Sequence, residues 1–111
     1  MDCLFCKIAS GEIPSKQVFS DPRVYAFHDI TPKAPVHILV IPRKHIGKLG
    51  DATEEDRELV GEVVARAAAI ARDSGIEHYR LVANNGEGAG QTVFHLHFHL
   101  LAGRPFGWPP G

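Results

Sequence analysis

Residues 92–101 read TVFHLHFHLL, and from His95 to Leu100 histidines and apolar residues alternate strictly. Only a β-strand turns such a pattern into two chemically distinct faces: His95, His97 and His99 share one side, and Leu96, Phe98 and Leu100 share the other. A strand of this kind needs hydrogen-bonded neighbours and an apolar cover for its leucine face.

The rest of the chain supplies both. Residues 3–9 suit a short helix that Gly11 and Pro14 keep from extending. KQVFS (16–20) and RVYAFHD (23–29) read as a hairpin across Asp21-Pro22, and VHILVIP (36–42) as a strand buried on both faces, with His37 its one polar member. In DATEEDRELVGEVVARAAAIARDSG (51–75), Thr53 is the expected N-cap and Gly75 the stop. Leu59, Val60, Val63, Val64, Ala67, Ile70 and Ala71 fall at helical spacing on one apolar face. YRLVANN (79–85) reads as a strand, GEGAGQ (86–91) as a glycine-rich loop, and 92–101 as the last strand before the tail GRPFGWPPG. The order α-β-β-β-α-β-β, with hairpin-length connections, predicts an α+β fold: a five-stranded antiparallel sheet, one long helix and a short N-terminal helix.

At 111 residues this is a single domain, 1–111. A chain of that length buries roughly two-thirds of the surface its unfolded form exposes, so pairing with a second copy would add stability. A net charge of -1 provides no electrostatic footprint for nucleic acid or a membrane surface. With no apolar run of signal-peptide or membrane-spanning length, the chain reads as cytoplasmic. The two cysteines, Cys3 and Cys6, are too close in sequence for a disulfide framework and are candidate metal ligands.

Same-face neighbours on a strand are roughly 6.6 Å apart, which separates the Cα atoms of His95 and His99 by roughly 13 Å. Each imidazole reaches an ion only about 6 Å from its Cα, so three cannot converge on one metal without a sharp bend. The alternation therefore predicts a division of labour, with one histidine binding metal or orienting its neighbour while another does chemistry. Just upstream, Gly86, Gly88 and Gly90 permit close approach of main-chain N–H groups to an anion, and Thr92 adds a hydroxyl. Imidazole keeps a free lone pair on much of its population at neutral pH, and its phosphorylated form is labile. The chemistry these residues suit is covalent phosphoryl or nucleotidyl transfer.

HLHFHLL resembles the signature of the histidine triad superfamily, and AFHDITPKAPVHILVIPRKHI, GQTVFHLHFHLL and the terminal WPPG are similar to its nucleotide-binding branch over essentially the whole chain. The resemblance implies a homodimer that hydrolyses a purine nucleoside phosphoramidate or an acyl nucleotide, with no cofactor needed for catalysis. His97 would be the nucleophile; His99, Thr92, Gly90 and Asn84 would contact the phosphate. Asp29 would hold the ribose hydroxyls, Ile8, Ile13, Phe27, His28 and Ile30 would line the base pocket, and His37 would support the triad. Thr92 stands where the family usually has serine, which bears on leaving-group preference. Trp108 would reach toward the partner's site. In some relatives a cysteine pair joins the histidine of the KH motif and the first triad histidine around structural zinc, here Cys3, Cys6, His45 and His95. Two other readings stand beside this one: a dinucleoside polyphosphate hydrolase, from which the short chain and WPPG argue away, and a nucleotide-binding interaction module with incidental hydrolysis.

Overall fold

The computed structural model describes residues 2–111. A short helix α1 (Leu4–Ser10) leads into β1 (Gln17–Ser20), β2 (Val24–His28) and β3 (Val36–Pro42); the long helix α2 (Arg57–Asp73) follows, then β4 (Tyr79–Val82) and β5 (Phe98–Ala102). The five strands form one antiparallel sheet in the order β1-β2-β3-β5-β4. Between β1 and β2 the turn is closed by Asp21, whose Oδ1 accepts from the backbone N–H groups of Arg23 (2.8 Å) and Val24 (2.7 Å).

Alternation along the strands divides the molecule into two cores. Val24, Ala26, Ile38, Val40 and Leu100 face α2 and pack against Leu59, Val63, Ala67, Ile70 and Ala71. Tyr25, Phe27, Leu39 and Ile41 face the opposite way and are covered by Phe5, Ile8 and Ala9 of α1. Leu100 has no exposed surface, and truncating such a residue to alanine typically costs roughly 2–5 kcal/mol. Val64 departs from the expected apolar face: at 38% exposure it is turned to solvent, while Val60 is only partly buried. A short 3-10 turn, Glu54–Asp56, precedes α2, and the Asp56 carboxylate accepts from the Thr53 N–H at 2.9 Å. Gly75 ends the helix at φ 72, and the Ile76 N–H returns to the Ala71 carbonyl at 2.8 Å.

The last strand is shorter than its alternation predicts, running from 98 rather than 92, and β4 stops at Val82 rather than Asn85. Pro42 explains the first difference. It has no N–H to offer a ladder, its carbonyl lies 2.7 Å from His95 Nε2, and the Leu96 N–H goes instead to the Ile46 carbonyl at 2.6 Å. Residues 92–97 thus leave the sheet while still alternating, with Leu96 in the α2 core and His95 and His97 buried. Among the described residues no helix is long and apolar enough to cross a membrane.

Candidate active site

On the α1 side of the sheet, β3 contributes His37 and β5 contributes His99, because Leu39 pairs with His99 and His37 with Leu101. His37 Nδ1 lies 3.0 Å from the Lys33 backbone nitrogen, and its Nε2 lies 2.9 Å from His99 Nδ1. An amide N–H can only donate, so His37 Nδ1 accepts, and the single proton of the neutral ring sits on Nε2. That proton is donated to His99 Nδ1, with Asp29 Oδ2 at 3.4 Å as a second acceptor. The proton of His99 is thereby placed on Nε2, a buried nitrogen with no partner among the described residues. Burial favours neutral rings here: it lowers the pKa of His37 against the opposing pull of Asp29, and burial followed by His97 and His37 takes His99 down to about 4.

His97 has the opposite polarity. Its Nδ1 lies 2.7 Å from the His95 carbonyl, which can only accept, so Nδ1 carries the proton and Nε2 keeps a lone pair. Burial lowers its pKa too, partly offset by that hydrogen bond. The ring lies 4.9 Å from that of His99 and meets Phe5 edge-on at 5.1 Å. His97 and His99 border the same cavity of about 310 Å³, so the ring with the free lone pair and the ring with the unpartnered N–H stand side by side along one wall.

His95 faces elsewhere. Because its Nε2 donates to the Pro42 carbonyl, its Nδ1 lone pair faces Cys3 Sγ at 3.3 Å and Cys6 Sγ at 3.5 Å; His45 Nδ1 lies 3.6 Å from Cys6 Sγ. These four donor atoms lie within 4.8 Å of one another. Tetrahedral zinc with bonds of about 2.0–2.3 Å sets its ligand atoms roughly 3.4–3.8 Å apart, so the donor set fits that ion. The chemistry agrees: burial, then Cys3, push the Cys6 thiol up to about 11, a pairing of sulfurs that a dication would stabilise as thiolates. Asp29, His37 and His99 also cluster within 4.8 Å, but His37 Nε2 holds the proton and is not free to ligate.

The cavity is bordered by Ile8, Ile13, Phe27, His28, Asp29, Ile30 and Thr92, all expected at the site, together with Phe5, Ser15 and Leu39. Ile30 stands at its rim, 94% exposed. Asp29 is held by Thr31, whose N–H and hydroxyl reach Oδ1 at 2.8 and 3.1 Å. Asn84 and Gly90 are not part of the cavity wall; they adjoin each other, with Asn84 Nδ2 3.8 Å from where a Cβ on Gly90 would sit. Of the three loop glycines expected to use positive φ, Gly86 and Gly90 do so and Gly88, inside a short 3-10 turn, does not. Its anchor, Gln91, escaped the sequence reading: buried, it accepts from the Gly86 N–H (2.8 Å) and donates to the Gly47 (2.9 Å) and Val93 (3.0 Å) carbonyls. A polar residue beside a glycine run was the one available sign. A groove of about 490 Å³ beside Arg66 holds neither a histidine nor a hydroxyl and is remote from this chemistry.

The HIT domain family model matches residues 10–106. The chain belongs to the HIT family. An uncharacterised HIT-like protein from Synechocystis sp. is 51% identical over 111 residues, covering 99% of this chain and 97% of the relative. A crystal structure of a HIT family hydrolase from Legionella pneumophila superposes with a TM-score of 0.96 at 50% identity, covering 99% of this HIT chain and 100% of the other. A histidine triad protein from Clostridium difficile gives 0.93 at 45% identity, with 96% and 95% covered.

Proposed function

We propose that this HIT protein hydrolyses purine nucleoside 5′-phosphoramidates and acyl nucleotides, releasing the nucleoside monophosphate, and that it belongs to the nucleotide-binding branch of the family. The observation that carries this reading is the opposed tautomers of two adjacent histidines, His97 with a lone pair on Nε2 and His99 with a proton on Nε2. Similarity to a protein described as a HIT family hydrolase supports it at the level of reaction class.

In the proposed reaction His97 Nε2 attacks the α-phosphorus and the bond to the leaving nitrogen or acyl oxygen breaks. A leaving nitrogen takes a proton that the Thr92 hydroxyl relays from solvent water, whereas an acyl group leaves as its carboxylate. The resulting nucleotidyl-imidazolium is stabilised by the Nδ1–H bond to the His95 carbonyl, and the unpartnered His99 N–H donates to a phosphoryl oxygen as charge builds there. Water then attacks phosphorus from the side the leaving group vacated, in line with His97 Nε2, the P–N bond to His97 breaks, and the ring regains its lone pair. Each turnover consumes one water, whose hydroxyl ends on the monophosphate and whose remaining proton returns to solvent. Asp29 would accept from a ribose hydroxyl through Oδ2, Oδ1 being held by Thr31 and Oδ2 keeping only the long 3.4 Å contact to His37. The apolar wall of Phe5, Ile8, Ile13 and Phe27 suits a purine, and Asn84 and Gly90 would approach the phosphate from beside the cavity.

Cys3, Cys6, His45 and His95 would hold zinc, which supplies a structural tie between the start of α1 and the histidine segment. A homodimer fits the exposed apolar groups: β4 is a free sheet edge, Tyr79 and Val64 are 40% and 38% exposed, and Trp108 is 84% exposed. The tail leading to Trp108 is gripped at Phe106, with the Arg80 and Arg104 guanidiniums 5.3 and 4.3 Å from its ring centroid. Trp108 would then meet the second subunit's site, in a cytoplasmic enzyme.

The test is single-turnover and steady-state hydrolysis of adenosine 5′-phosphoramidate by the protein and by His97→Ala, with a dinucleoside polyphosphate for comparison. AMP release that vanishes in the variant and greatly exceeds polyphosphate cleavage supports the reading. AMP binding by both proteins without turnover replaces the enzyme with a binding module.

A further inference from the structure

The base end of the cavity is mostly apolar, with the exposed His28 and one hydroxyl group as its polar members. Ser15 borders it beside Ile13, Pro14 and Phe27. Of the two other hydroxyl residues in the wall, Thr31 is bonded to Asp29 at 3.1 Å and Thr92 belongs to the histidine segment.

Ser15 Oγ lies 2.7 Å from the hydroxyl of Tyr25, a residue only 6% exposed. Either oxygen could donate, but the surroundings decide the direction. Ser15 is the one hydrogen-bond partner of the Tyr25 hydroxyl among the described residues. If Ser15 donated, the phenolic proton would be left without a protein acceptor at a part-buried position, a loss that reaches roughly 1–3 kcal/mol for a fully desolvated group. The phenol is also the more acidic hydroxyl. Tyr25 therefore donates, its ring fixed by Phe27 at 5.8 Å and by the Arg43 guanidinium at 5.3 Å. The Ser15 proton is left over, on a residue that borders the cavity.

We infer that Ser15, oriented by Tyr25, donates a hydrogen bond to a ring nitrogen of the bound purine and so determines base specificity. The inference rests on the nucleotide reading above and deepens it. An apolar pocket tolerates any flat ring, whereas a directed donor rewards an acceptor at one position and leaves an analogue lacking it with an unpaired hydroxyl.

The experiment compares kcat/KM for adenosine 5′-phosphoramidate and its 1-deaza, 3-deaza and 7-deaza analogues, in which one ring nitrogen is replaced by C–H. Wild-type protein is expected to disfavour one analogue by about 3- to 10-fold, the value of one neutral hydrogen bond. Ser15→Ala is expected to lose that preference while treating the other two as wild type does. Tyr25→Phe, which keeps the serine but frees it, is expected to retain only part of it. Discrimination unchanged in Ser15→Ala, or a uniform loss on all four substrates, overturns the inference and leaves the hydrolase reading intact. If wild-type protein turns over none of the four, both are overturned.

Discussion

His37 Nε2 stands 2.9 Å from His99 Nδ1 while the Lys33 N–H holds the far nitrogen of His37 at 3.0 Å, so a backbone amide on one loop sets the proton position of a ring on another strand. The Lys33 carbonyl is in turn held by Arg104 at 3.3 Å, which links the C-terminal tail to the same chain of hydrogen bonds. His37→Ala cuts that chain, leaving His99 free to place its proton on either nitrogen. Turnover of adenosine 5′-phosphoramidate should fall by roughly 10²-fold, as when one oxyanion donor is lost. Long-range nitrogen–proton NMR should show His99 as a mixture of tautomers. A loss under threefold with His99 still a single tautomer would mean the relay is dispensable.

The same burial makes the protein acid-sensitive. His99 titrates at about 4 in the folded chain, His37 is also lowered, and an unfolded histidine titrates near 6.5. Between those values the unfolded state binds more protons, so stability is fully present above about pH 6.5 and is lost progressively as pH falls toward 4. Denaturant midpoints measured across this window should drop with acidification, and less steeply for His99→Asn. Parallel curves for the two proteins would remove His99 from the explanation.

Metal should be bound without serving the chemistry. Elemental analysis of protein loaded with zinc and dialysed is expected to give about one zinc per chain, and none in Cys3→Ser/Cys6→Ser. The double variant should melt several degrees lower, yet keep phosphoramidate turnover within about tenfold once folded, because His97 keeps its bond to the His95 carbonyl. Full stoichiometry in the double variant would place the ion elsewhere.

Asp29 offers a substrate-side test. Asp29→Ala should lower kcat/KM for the ribonucleotide by about 10-fold, the value of a hydrogen bond to a charged group. It should cost much less on whichever deoxyribose analogue lacks the hydroxyl that Asp29 contacts. An equal loss on the ribonucleotide and on both the 2′- and 3′-deoxy analogues would assign Asp29 to His37 rather than to ribose.

Gly103 follows β5 at φ +95, and a Cβ there would sit 2.7 Å from Pro35 Cβ. Gly103→Ala should therefore destabilise by roughly 1–3 kcal/mol from backbone strain, with the clash adding to it. Equilibrium unfolding at neutral pH measures this, and a loss below about 0.5 kcal/mol would show that Pro35 yields.

Periodicity was enough to locate β3, which spans Val36–Pro42 as VHILVIP predicts, and to separate the leucine face of the last strand from its histidine face. It overextended that strand because Pro42 acts from a different strand, 53 residues before His95, and no local pattern in 92–97 reports a missing ladder partner. It also put Val64 on the buried face, since helical spacing gives the angle of a stripe but not where the sheet beneath it ends. Ser15 and Gln91 went unnoticed because their partners, Tyr25 and Gly47, are set by the fold.

What the sequence by itself determined is the division into faces: two periods, 2.0 and 3.6, together with the glycine and proline stops, specify the elements and which side of each is apolar. That rests on local geometry, which every residue carries with it. Which nitrogen of each histidine holds its proton was decided only by the tertiary structure. His37, His95, His97 and His99 are one residue type, and their roles diverge because Lys33 offers an amide donor while Pro42 and His95 offer carbonyl acceptors. Those partners come into place when β3 and β5 pair and residues 92–97 leave the sheet.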